Sequence, residues 1–249
     1  MISLLNKERQ IVAFNQYNRE QRQDYWNLYY ELVEFLEQNK QVLISASNEQ
    51  DYETALQIAE ITRQYATYIS QDDFGLKTEF RDQFSSRNIY WVLNQLPENS
   101  KLILWAHNGH VAKTSPMFNY NVMGHYMARW FADEYVAIGF TFNSGSFGAF
   151  SNNGFKKWNL EAIKVPSLTL SLSQLKAPFA FFDARKALLN SKDTDYYLRK
   201  AVPIRTDISE SFSDTREKMM SLNISETYDA LIYIEDTSYP TTIPFKQKK

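Results

Sequence analysis

Up to about Leu96 the apolar positions keep a helical rhythm, and beyond Pro97 they gather into short continuous runs of the kind that buried strands show. Tyr25, Leu28, Leu32 and Phe35 recur at steps of three and four, which predicts a helix with one apolar face. Ser47 followed by Gln50 has the form of a capping box and predicts a second helix, with Tyr52, Leu56, Ala59, Tyr65 and Ile69 inward. A third is predicted from about Lys77 to Leu96, with Phe80, Phe84 and Trp91 facing a bundle core. Between Glu20 and Leu96 the only Gly or Pro is Gly75, so little interrupts the helices.

After the turn Pro97-Glu98-Asn99-Ser100, the run Lys101 to Ala106 reads as a buried strand. Asn121 to Phe131 reads as a helix with Met123, Met127, Trp130 and Phe131 inward, and Tyr135 to Phe142 as another buried strand. Strand, helix, strand predicts a βαβ unit with parallel strands. Asn143 to Gly154, rich in Gly, Ser and Asn, reads as a loop. Further strands are predicted at Phe179 to Asp183 and Tyr228 to Asp236, with helices near Arg185 to Ser191 and Asp214 to Leu222. The expected fold class is α/β: a helical region over 1–96, then an α/β region over 97–249 with a partly parallel sheet, flanking helices and a smaller α+β part.

Composition narrows the function classes. A formal charge of -2 and scattered Lys and Arg argue against a nucleic-acid partner. The short basic tail, Lys246 to Lys249, reads as a solvated end. With no cysteine, thiolate nucleophiles, disulfides and cysteine-held zinc are excluded. No apolar run reaches membrane-spanning length, and the apolar patch in the first ten residues is too short for a signal peptide. The chain therefore reads as soluble, with the cytoplasm favoured unless a leader lies in sequence ahead of it; oligomeric state stays unassigned.

Two of the three histidines, His107 and His110, follow the predicted strand in Trp105-Ala-His-Asn-Gly-His-Val-Ala-Lys113. In open α/β sheets ligands gather at the carboxyl ends of strands, where this pair and the Asn143–Phe147 stretch both fall. A turn with positive φ at Gly109 would bring the two imidazoles together. Two neutral imidazoles can orient a water, protonate a leaving group or stabilise an oxyanion. Three readings stand side by side: a catalytic pair, a pair bonding backbone at a strand end, and a zinc site with His125 as third ligand. The last lacks the helical H-E-x-x-H spacing. Ser146 is not read as a nucleophile, because Gly-Ser-Phe lacks the second glycine of a nucleophile elbow.

Taken together, the stretches WAHNGHVAK, NVMGHYM, YVAIGFTFNSGSF and YDALIYIEDT resemble, in this order, the erythromycin esterase family, which includes succinoglycan biosynthesis proteins. The likeness is strongest over 101–148 and 228–237. It implies an α/β sheet with a helical insertion and a cleft, and a cofactor-free, metal-independent hydrolase that opens an ester or lactone with a histidine-activated water. By that resemblance His107 and His110 are the catalytic candidates, and Arg81, Asn108, His125, Ser146 and Phe147 are candidates for substrate contact. A surface ion pair of Arg81 with Asp82 is the competing account of the first. Family chains are longer and carry a G-E-x-x-H-G motif near their start that supplies the general base. No histidine precedes His107 here, so a C-terminal portion of a longer protein is expected. The alternative is a degenerate or binding member with an accessory role in polysaccharide production, and a second is a metal hydrolase using His107, His110 and His125.

Overall fold

The structure is a computed structural model, and it describes residues 17–115, 120–151, 154–190, 198, 200–206 and 219–240. The basic tail, Pro116 and the first half of the helix expected at 214–222 lie outside these residues. Two compact units divide at Ser100 and Lys101.

The first unit is helical: α1 (Arg19–Gln38), α2 (Lys40–Ala46), α3 (Glu49–Ser70) and α4 (Phe74–Asn94). Side chains of Asn18, Asn48 and Asp73 cap α1, α3 and α4 by accepting a backbone N–H three residues on. The cap of α3 is thus Asn48 rather than Ser47. The Ser47 hydroxyl instead donates back to the Leu43 carbonyl and finishes α2. The apolar stripe of α1 also differs from expectation. Leu28, Leu32 and Phe35 are exposed, whereas Val33 is buried and the aromatic side of the helix, Trp26 and Tyr30, takes the packing and a guanidinium from Arg63 of α3. Phe80, Phe84 and Trp91 of α4 are half-buried, and its fully buried residues are Asp82 and Ser86.

In the second unit a four-stranded sheet has the order β2-β1-β6-β3. Its members are β1 (Ile138–Ser151), β2 (Gly154–Leu160), β3 (Phe179–Asp183) and β6 (Ala230–Thr237). The ribbon of β4 (Ala201–Ile204) and β5 (Met220–Asn223) makes the smaller part, so a strand stands where the helix ending at Leu222 was expected. Short helices α5 (Asn108–Val111), α6 (Met123–Phe131), α7 (Leu168–Ser173), α8 (Ala184–Asn190) and α9 (Ile224–Thr227) connect these strands.

Of the expected loop at 143–154, the described residues, 143–151 and Gly154, are strand. The first half of β1 pairs parallel with β6, and its second half, from Gly145 on, pairs antiparallel with β2. Gly145 marks the change of partner: its φ is +115°, and a Cβ there would sit 2.1 Å from the Thr237 carbonyl oxygen. Only glycine accepts both conditions.

Parallel pairing therefore joins β1 to β6, and the sheet is partly parallel as expected. The predicted strand at Lys101–Ala106 has no ladder and no regular secondary structure, and its Ile103 and Trp105 are 90% and 85% exposed. Trp130, expected inward on α6, is 44% exposed, while Met123 and Met127 are buried.

The two faces of the sheet are unequal. Gly139, Thr141, Leu231 and Tyr233 alternate onto a buried face, covered by α7 and the β4 end through contacts such as Thr141 Oγ1 to Thr169 Oγ1 at 2.8 Å. The opposite face carries Phe140, Phe142, Ile232 and Ile234 in register with Phe181 and Phe179, and the last two are 62% and 72% exposed.

Candidate active site

His107 follows the Lys101–Ala106 segment and is the N-cap of the single turn α5. Its Nδ1 accepts the Gly109 N–H at 3.2 Å, so in the neutral imidazole the ring proton sits on Nε2. One helical turn later His110 presents its ring 6.4 Å from that of His107, centroid to centroid, at an interplanar angle of 72°. The two imidazoles do converge, but through a helical turn; among the described residues the positive-φ glycine is Gly145, not Gly109. His107 is exposed and His110 half-buried, so both edges of the pair border solvent.

Between them Asn108 is 8% exposed, and its amide is spent on protein groups. Oδ1 accepts the Phe140 N–H at 2.9 Å, and Nδ2 donates to the Phe140 carbonyl at 2.7 Å and to the Thr206 carbonyl at 3.2 Å. A side-chain amide thus takes the place of a neighbouring strand on the edge of β1. The Tyr228 hydroxyl donates to the Asn108 carbonyl at 3.2 Å, adding a tie to the start of β6. This geometry makes Asn108 an anchor of the histidine turn, with its side-chain amide bonded within the protein.

The residues after the turn are fastened as firmly. Tyr135 donates to the Val111 carbonyl at 2.7 Å, and the Lys113 N–H donates to the Thr227 carbonyl at 3.0 Å. Lys113 Nζ lies 2.7 Å from Oδ1 of the buried Asp229, whose Oδ2 accepts the Ala137 N–H at 2.7 Å. Burial first, then the charge of Asp229 and the neighbouring Tyr228, pushes the Tyr135 phenol above its ordinary range. At Gly124 an added Cβ would lie 2.4 Å from the carbonyl oxygens of Val111 and Ala112, so α6 sits directly on the turn. His125 follows in α6, half-buried, with its ring 5.8 Å from that of Tyr126.

The remaining candidates divide between the units. Arg81 lies in the helical unit, its Nε 3.6 Å from Oδ1 of the buried Asp82, and its own side chain is half exposed. Ser146 is a strand residue whose Oγ accepts the Tyr239 N–H at 2.8 Å, and Phe147 rests near Phe142 at 6.2 Å between centroids. Both belong to the β1–β2 hairpin. Among the described residues no group of three His, Asp or Glu side chains is placed to hold a metal ion.

Sequence reasoning missed a polar cluster where the middle of β1 meets the carboxyl end of β6. The Glu235 carboxylate accepts from Asn143 Nδ2 at 2.7 Å and from the Tyr233 hydroxyl, and the Arg205 guanidinium donates to the Asn143 carbonyl. Burial and the Glu235 carboxylate push the Tyr233 phenol up. The sequence signal was the polar pair Glu235-Asp236 closing an otherwise apolar strand.

The sequence profile of the family described as erythromycin esterase matches residues 6–237. The chain belongs to the erythromycin esterase family. Solved structures with the same fold include a Bacillus cereus protein, 25% identical, with a TM-score of 0.79 over 92% of this chain and 55% of its own. A succinoglycan biosynthesis protein is 18% identical, with a TM-score of 0.73 over 92% of this chain and 53% of its own. An erythromycin esterase mutant in its open conformation is also 18% identical, with a TM-score of 0.65 over 91% and 55%. This family member therefore spans about half the length of each of these chains. No curated protein matches it.

Proposed function

We propose that the chain supplies one side of a metal-independent hydrolase site for a small-molecule ester or lactone, with His107 and His110 as the groups that act on the scissile bond. The observation that carries this reading is the exposed histidine pair on a turn whose intervening residue is locked to β1. Rigid placement of this kind is what general acid–base and oxyanion chemistry requires. In the reaction a water adds to the carbonyl carbon, the carbonyl oxygen takes up negative charge, and the carbon–oxygen bond to the alkoxide breaks. His107, with its Nε2 proton, donates to the developing oxyanion, and His110 protonates the leaving alkoxide. The base that takes the proton from water comes from polypeptide outside these 249 residues. No nucleic acid is involved, and among the described residues no helix is long and apolar enough to cross a membrane.

The test is turnover of a 4-nitrophenyl ester by the complete natural polypeptide carrying His107→Ala or His110→Ala. Each substitution is expected to lower kcat by a factor on the order of 100 to 1,000, the usual worth of a positioned proton donor. Unchanged turnover in both variants would remove the reading and leave the binding or accessory role in its place.

A further inference from the structure

The histidine turn α5 is four residues long, and a single turn of helix cannot satisfy most of its own backbone groups. Its shape is therefore set by what grips it from outside. At the amino end the grip is the Asn108 side chain on β1, with the Tyr228 hydroxyl on the Asn108 carbonyl. At the carboxyl end, directly after His110, the Val111 carbonyl accepts the Tyr135 hydroxyl at 2.7 Å. A little further along each of these two segments, one carboxylate takes both. Asp229 Oδ1 meets Lys113 Nζ at 2.7 Å, and its Oδ2 accepts the Ala137 N–H at 2.7 Å. The bond from phenol to carbonyl is thus backed by a second clamp, which holds the donor and acceptor segments at a fixed separation.

The approach of Tyr135 is itself strained into place. Tyr135 follows α6 and the 3-10 turn Ala132–Glu134, and Ala132 has a φ of +45°, a region that disfavours residues carrying a Cβ. At the other end of α6, Gly124 lies so close to the Val111 and Ala112 carbonyls that a Cβ would sit 2.4 Å from each oxygen. Both ends of this segment therefore converge on the peptide that follows His110. Burial, and then the charge of Asp229, keep the phenol protonated, which is the form that donates. The ladder between β1 and β6 begins only at Ile138 and Ala230, so the phenol is not part of the sheet.

We propose that Tyr135 is a positioning residue for His110: its bond to the Val111 carbonyl fixes the carboxyl end of the turn, and with it the direction from which His110 reaches the leaving oxygen. This inference rests on the role given to His110 above. Tyr135 acts through the turn rather than on the ester. It narrows the orientations open to the imidazole, and a misplaced proton donor lowers turnover without weakening the binding of substrate.

The test is a double-mutant cycle on kcat for the 4-nitrophenyl ester, in the complete natural polypeptide, with Tyr135→Phe made in the wild-type and the His110→Ala backgrounds. Phenylalanine keeps the ring and removes the hydroxyl. With His110 present, kcat should fall about five- to tenfold, the usual worth of one neutral hydrogen bond, while KM stays within about twofold. In the His110→Ala background the same substitution should change kcat by less than about twofold, because no imidazole is left to position. A residue that only supports the fold lowers kcat by the same factor in both backgrounds, and that result overturns the proposal. So does a kcat within about twofold of wild type when His110 is present. Amide protection of Leu231 and Tyr233 equal to wild type is the check on folding. Should Tyr135→Phe fail it, Lys113→Met loosens the same end of the turn from Asp229, leaves the aromatic ring whole and is put through the same cycle under the same criteria. Wild-type turnover in His110→Ala removes the functional reading and this inference together, whereas lost turnover there with an additive cycle removes this inference alone.

Discussion

Replacing Asn108 tests whether the histidine turn is held by one side chain. Asn108→Ala strips the Phe140 N–H of the acceptor 2.9 Å away and the Phe140 carbonyl of the donor at 2.7 Å. The carbonyl keeps the Thr206 hydroxyl as a donor at 3.3 Å, so the N–H is the group that loses its side-chain partner; at about 1–3 kcal/mol for a polar group left unpaired, and with Phe140 half-buried, the loss should be about 2 kcal/mol. That corresponds to a rise on the order of 30-fold in the local opening constant, since each 1.4 kcal/mol is about tenfold. The direct readout is exchange of the Phe140 amide, with Leu231 and Tyr233 as references within the same sheet. Asn108→Asp sharpens the test. One carboxylate oxygen still accepts from Phe140, but the other faces the Phe140 and Thr206 carbonyls, so ionisation is opposed in the folded state. The folded pKa of the new carboxyl then lies above its unfolded value of about 3.9. Its contribution to stability is whole below that value and is lost as pH rises through the folded pKa. The Asp variant should therefore protect Phe140 near pH 4 and lose protection towards pH 7, after correction for intrinsic exchange. Protection within threefold of wild type in the Ala variant, or a pH-independent Asp variant, would refute the anchoring argument.

Other groups make separate demands. Asp229→Ala leaves Lys113 and the Ala137 N–H without the carboxylate that each meets at 2.7 Å, a loss of about 3–5 kcal/mol by urea unfolding, and a loss below about 1 kcal/mol would mean the pair is idle. Gly145→Ala forces a methyl group into the Thr237 backbone at a φ of +115° and should cost more than the usual strain of about 1–3 kcal/mol. A melting temperature equal to wild type in that variant would show that β1 does not change partners there. The Tyr233 phenol is raised by burial, by its bond to Glu235 and by that carboxylate's charge. A folded pKa above the unfolded value of about 10 means its stabilisation is intact below pH 10 and falls as pH rises through the folded pKa. Wild type should therefore lose stability more steeply above pH 10 than Tyr233→Phe, and equal slopes would exclude the effect.

The helices of the first unit and the partly parallel sheet were legible because periodicity is local, although the cap and the ends of those helices shifted by one to three residues, and the order of the four quoted stretches was specific enough to point to the family. Partners were not legible. The Asn, Ser and Gly of 143–151 read as a loop, yet they form strand because Thr237 and the β2 residues offer a ladder that no local pattern announces. The bonds of the Asn108 amide to Phe140 carry no local signal, because the partner lies 32 residues on and only the fold brings it there. Arg81 and the histidine pair share one list of candidates in the sequence but belong to different compact units. Lys101–Ala106 is the most instructive case. A continuous apolar run records what a strand must be surrounded by, and says nothing of whether those surroundings lie in the same stretch of polypeptide. The exposed Ile103 and Trp105 depart from the burial that the run predicts. Among the described residues no strand pairs with this run, so it has the composition of a buried strand without the ladder.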